Sequence, residues 1–223
     1  MARYLMTHSL LSSWLYSMAS NPYEDMTTKR DPMAEFMSTL NREQTKPSGK
    51  MLNGITFENL VTAILRNVAE FDYCEMNEKT KEIRQFHIQT ADHKWYDAAA
   101  KVAQTVSGGV LQYRANKTIV VGGLTLVLYG RLDCLKAGDI KDIKFSSSYD
   151  RGKYFSSTQH PTYFEIVPEA KTFTYLVSNG SEVWTERYYR EETPSIIPTI
   201  SDFLEWLDAL ELAPLYKKKW LAL

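Results

Sequence analysis

The chain has 223 residues, a formal net charge of -1, and is 44% hydrophobic and 24% charged. That is enough apolar material for a sizeable core, which excludes a disordered tail. The near-zero charge means that any nucleic-acid partner must be held by a local basic surface. Two cysteines, Cys74 and Cys134, are too few for a disulfide framework, and no apolar run reaches the about 18 residues of a membrane span. A reducing cytoplasm without membrane contact is the expected setting.

Residues 3–20 place Arg3 before a leucine-rich patch, but His8, several serines and Trp14 interrupt it, so a cleaved leader is rejected. SLLSSWLYSMAS, 9–20, instead repeats apolar residues at helical spacing, and Asn21-Pro22 closes it. A second helix is expected over 31–41, then a polar loop, REQTKPSGK, over 42–50. The clearest amphipathic helix is 54–70, where Phe57, Leu60, Val61, Ile64, Leu65 and Val68 form a stripe. Another helix is expected over 93–106. Residues 110–146 are rich in β-branched and aromatic residues, with turn signals at Ala115-Asn116, Gly122-Gly123 and Ala137-Gly138, and read as three or four antiparallel strands. A short helix follows at about 157–167, with Ser157 or Thr158 as N-cap and Pro161 in its first turn. KTFTYLVSNGSEVWTERYY reads as a hairpin about a type I′ turn at Asn179-Gly180, and residues 199–212 as a closing helix. The order predicts one α/β (α+β) domain over 1–223, built around one sheet.

The stretch GRLDCLKAGDIKDIKFS, 130–146, carries the chemistry. A two-residue loop at Ala137-Gly138 pairs Lys136 with Asp139, and the same register puts Asp133 opposite Asp142. Facing residues have Cβ atoms about 4.5–5.5 Å apart, where two carboxylates repel unless a divalent cation bridges them. Lys144, two residues beyond Asp142, shares its face of the strand. The competing reading is a solvent-facing hairpin with a Lys–Asp ion pair, and the hairpin by itself leaves both open.

Asp133 followed by Asp142-Ile143-Lys144 resembles the signature of the PD-(D/E)XK nuclease superfamily, with Leu132 where the pattern has proline. Gly130 to Asp133 is similar to the GxxD box of its RecB-type branch, Gln159 to Tyr163 to the QxxxY motif, and Glu58 to the acid on the helix before the sheet. RecB-type nucleases of viruses, including phages, are similar in size. The resemblance implies a restriction-endonuclease-like core over 51–178 with a mixed central sheet flanked by helices. A helical lead-in over 1–50 and an edge hairpin strand and C-terminal helix over 179–223 complete that reading. It implies a Mg²⁺- or Mn²⁺-dependent deoxyribonuclease, chiefly an exonuclease of recombination or DNA end processing. Asp133, Asp142 and the Ile143 carbonyl would ligate metal. Glu58 would act through a second metal or a water, Lys144 would position the attacking water, and Gln159 and Tyr163 would hold the scissile strand. DNA, an annealing or recombination protein, and further copies of the chain are the partners it suggests. A catalytically silent binding module and a site-specific endonuclease are the alternatives.

Between the triplet and QxxxY, YDRGKYF carries Arg151 and Lys153 among aromatic rings, a candidate DNA-contact loop. His160 is placed near phosphate. His87 and His93 have no second ligand at metal spacing and read as structural, Cys134 as core on the face opposite Asp133, and Lys217 to Lys219 as a solvated tail. No Walker loop or GxGxxG supports ATP-driven or nicotinamide chemistry.

Overall fold

The computed structural model describes residues 2–19 and 31–222, so the expected stop at Asn21-Pro22 lies outside the described residues. The elements are β1 (Arg3–Met6), α1 (His8–Ala19), α2 (Pro32–Leu40), α3 (Gly49–Leu65), β2 (Glu70–Met76), β3 (Ile83–Gln89), α4 (Tyr96–Val106), β4 (Val110–Val121), β5 (Leu124–Lys136) and β6 (Asp139–Phe145). They continue with α5 (Gln159–Ile166), β7 (Thr172–Ser178), β8 (Val183–Tyr189), α6 (Ile197–Ala209) and α7 (Ala213–Lys219). The result is a mixed central sheet flanked by helices, an α+β fold.

Strand β5 organises the sheet. Antiparallel β4 accompanies it from Val110↔Leu135 to Val121↔Leu124. Its other edge is shared: parallel β1 takes Thr125 to Leu128, and antiparallel β6 takes Cys134 to Lys136. β6 runs parallel to β7, and β7 antiparallel to β8. Period-two alternation along β7 sends Phe173, Tyr175 and Val177 to one core and Leu176 to the other. The first core is built with α1, α2, α5, α6 and α7, and the second with α3, α4 and β2.

Several local expectations are corrected. Ala115-Asn116 is no turn, because β4 runs straight through it; the turn is at Gly122 and Gly123, both at positive φ (55° and 72°) as type I′ demands. Helix α3 starts at Gly49, inside the expected loop, because Ser48 caps it by accepting the Met51 N–H at 3.2 Å, and it ends at Leu65 rather than 70. The 179–182 connection is a four-residue loop, not a two-residue turn: the Asn179 side chain accepts the Ser181 and Glu182 N–H groups at 2.9 and 2.8 Å. Lys217 to Lys219 form the last turn of α7, pinned by buried Tyr216 and Trp220, and are not a loose tail. β1, the β2–β3 hairpin and α7 were not anticipated.

A carboxylate fork between β5 and β6

The hairpin turn at Ala137 and Gly138 has φ of 52° and 79°, and the register Lys136↔Asp139, Leu135↔Ile140, Cys134↔Lys141 is the expected one. Asp133 and Asp142 come next in that register, and there the ladder stops. The strands part, and the Asp133 carboxylate occupies the gap: its Oδ2 accepts the Ile143 N–H at 2.8 Å. On the other side of β5, Gln112 faces Asp133 with a left-handed φ of 51°, and the β4–β5 ladder skips that pair. A non-glycine residue in that region is uncommon and costs energy. The Gln112 amide donates to Glu58 Oε1 on α3.

Asp142 is only 4% exposed. Its Oδ1 accepts the Gln159 amide at 2.5 Å. Its Oδ2 lies 2.8 Å from Lys144 Nζ, a close ion pair, yet no donor meets it at a hydrogen-bonding angle. The Lys144 ammonium also sits 6.0 Å above the Tyr175 ring. Burial pushes the Asp133 carboxyl well above the usual carboxylate range, and the charges of Asp142 and Glu58 add to it, against the Ile143 N–H and Lys144. Burial alone would lower Lys144, but the charge and contact of Asp142, then the charge of Asp133, raise it, so its ammonium persists at neutral pH.

Helix α5 closes the fork. The Tyr163 hydroxyl donates to the Arg131 carbonyl at 3.1 Å, on the stretch of β5 edge that lies between β1 and β6. This ring explains why residue 130 is glycine: a Cβ there would lie 2.3 Å from Tyr163 Cε1. The GxxD and QxxxY segments are thus two sides of one packing contact. Burial, then Asp142 and Asp133, drives the Tyr163 hydroxyl above its ordinary pKa, so it stays a donor.

Glu58, Asp133, Asp142, Lys144, Gln159 and Tyr163 therefore gather around one fork, although Glu58 reaches it by charge and through Gln112. Gln159 and Tyr163 are 6% and 3% exposed and engage Asp142 and Arg131, so both help to position the fork. His160, expected near phosphate, is buried: it stacks on Tyr188 at 4.1 Å, and its Nδ1 meets the Tyr175 hydroxyl at 3.1 Å. Burial lowers its pKa to about 4. Arg151 is exposed, while Lys153 donates to Ser146 Oγ at 2.7 Å and the Ser148 carbonyl at 3.0 Å. Cys134 is fully buried in the second core, as expected, and His93 packs against Phe71, Tyr73 and Trp95.

Two residues at the fork escaped sequence reasoning. Gln112 was findable only by extending the β4–β5 register to the residue opposite Asp133. His8 packs edge-on against Tyr163 at 5.4 Å; burial, then Lys144, lowers its pKa to about 4 against the pull of Asp142. With Thr7, Ser9, Tyr129, Gly130 and Arg131 it lines a cavity of about 300 Å³ beside the fork. Nothing in its local sequence marks it. Among the described residues no three His, Cys, Asp or Glu side chains form a group able to hold a metal by themselves.

No helix among the described residues is long and apolar enough to cross a membrane. No family model matches the chain, and no curated protein matches it significantly. Among solved structures it is similar to the crystal structure of SSO0001, at 13% identity over 93% of this chain and 76% of that one, with a TM-score of 0.43. It is also similar to S. pombe Rai1 in complex with 3'-FADP, at 13% identity over 82% of this chain and 69% of that one, with a TM-score of 0.31. Likeness at this level carries no functional assignment.

Proposed function

We propose that this protein is a Mg²⁺- or Mn²⁺-dependent nuclease that hydrolyses DNA phosphodiester bonds, acting as an exonuclease in recombination or end processing. The observation that carries this reading is the fork itself: two carboxyls side by side with one ammonium, Lys144, 2.8 Å from Asp142 Oδ2, so that the charge of the second, Asp133, is disfavoured by burial and by its neighbour. One ammonium balances one of two neighbouring carboxylates, and a hard divalent cation offsets the cost of charging the second. Asp133, Asp142 and the Ile143 carbonyl make a hard-oxygen set that fits Mg²⁺ or Mn²⁺. When bound, the cation would polarise a phosphoryl oxygen and acidify a water.

The chain's own residues supply the rest. Gln159 fixes the Asp142 carboxylate in one orientation. Tyr163 holds the edge of β5 beside Asp133. Lys144 keeps a positive charge at the fork, where it orients a water and faces the charge that builds on the phosphate. These are positioning and electrostatic roles, with no covalent enzyme intermediate.

A time course on end-labelled linear and closed circular DNA, with and without Mn²⁺, tests the reading. Linear DNA is expected to shorten only with metal and the circle to survive. An opened circle moves the assignment to an endonuclease. Intact linear DNA overturns the nuclease reading and favours a silent binding module, a reading helped by Glu58 being engaged with Gln112 and not joined to the acid pair.

A further inference from the structure

The segment joining β6 to α5 is fastened from inside. Glu186 on β8, itself 8% exposed, accepts the Tyr149 hydroxyl at 2.7 Å, the Tyr154 N–H at 3.1 Å and the Tyr188 hydroxyl. Burial opposes its charge, but the Tyr188 and Tyr149 hydroxyls and the Tyr154 and Gly152 amides together hold the carboxyl below its ordinary range. Tyr149 stacks on Trp184 at 5.4 Å and Tyr154 on Tyr175 at 4.3 Å. Turn bonds from the Lys153, Phe155 and Ser157 N–H groups to Asp150, Gly152 and Tyr154 carbonyls close the loop at 3.0 to 3.1 Å.

Two of the loop's three rings are thus spent inward. The third, Phe155, is 79% exposed, more than any other large apolar side chain among the described residues. Single exposed apolar residues are ordinary on protein surfaces. This one differs in being held out by a braced loop and in its position. Its neighbour Tyr154 lies on the same Tyr175 ring over which the Lys144 ammonium of the fork sits. Exposed Arg151 and Lys153, against Asp150, give the loop one net positive charge.

A phenyl ring has no hydrogen-bond donor or acceptor, so apart from apolar contact with a thymine methyl it meets a base through its face. In a duplex those faces are covered by neighbouring pairs. An exposed ring beside cations is therefore suited to an unpaired base on a charged backbone. We propose that Phe155 is a stacking platform for an unpaired base, so that the fork takes single-stranded DNA or a frayed end. The proposal rests on the nuclease reading above for its substrate.

The test uses the full chain and a single-stranded DNA oligonucleotide containing 2-aminopurine, with Ca²⁺ in place of Mn²⁺, and follows quenching of the base by stacking. Wild type is expected to quench. Phe155→Leu is expected to bind about tenfold more weakly and quench little, and Phe155→Trp to restore both. Unchanged melting of both variants excludes a structural cause. Equal quenching by wild type and Phe155→Leu, or none by wild type, overturns the platform. Metal-dependent cleavage is scored separately with Mn²⁺: cleavage without quenching removes the platform alone, while absence of cleavage removes the nuclease reading.

Discussion

Acidic side chains meet on the β2–β3 hairpin and again at the fork, and water makes the two places different. On the β2–β3 hairpin, Asp72 and Glu70 grip His87 at 2.9 and 3.0 Å, with all three side chains between 50% and 61% exposed. Bonds to Asp72 and Glu70 raise the His87 pKa, so the cluster looks as purposeful as the fork. Solvent screens it, however, and such pairs contribute little. At the fork Asp142 is 4% exposed, and one ammonium, Lys144, faces both it and the Asp133 carboxyl. Proximity of acids is cheap in water and expensive without it, which is why the proposed cation is placed at the buried cluster.

Substitutions sharpen that contrast. The largest effect is expected from Asp142→Asn or Lys144→Ala, which should lower metal-dependent DNA cleavage by about 100-fold or more with far-UV dichroism unchanged. Asn keeps an oxygen for the Gln159 amide, so folding is not the cause. Next comes Gly130→Ala, whose new Cβ would strike the Tyr163 ring. It should cost about 1–3 kcal/mol in urea unfolding and cut activity as the Tyr163–Arg131 bond is displaced.

A smaller effect concerns pH without metal. Burial and the neighbouring acids raise Asp133 from 3.8 to about 8, so within that window the folded chain binds a proton that the unfolded chain releases. Stability in EDTA should therefore fall as pH rises through the window, and Asp133→Asn should flatten that slope. The smallest effect is His87→Ala, for which cleavage and melting temperature should both stay within error; a large loss there would break the contrast between the two clusters.

The fork was largely legible because its information is local. A two-residue turn at Ala137 and Gly138 sets the register, and the register alone aligns Asp133 with Asp142 and puts Lys144 beside it. The helices with strong periodicity were legible for the same reason. What was missed depends on distant partners. β1 is four residues long and is a strand because Thr125 to Leu128 offer an edge. The β2–β3 hairpin reads as polar because most of β3 faces water, with no alternation to detect. His8 reaches the fork through packing against Tyr163, 155 positions away. The bonds of the Gln159 amide to Asp142 and of the Tyr163 hydroxyl to Arg131 join elements far apart in the chain, so no local pattern announces them.

The central claim is that Asp133 and Asp142 share a divalent cation. Calorimetric titration of Mn²⁺ into the wild-type chain and into Asp142→Asn, without DNA, addresses it directly. Saturable binding by wild type that is lost in the variant is the expected result. Equal binding by both proteins, or none by wild type, would contradict it.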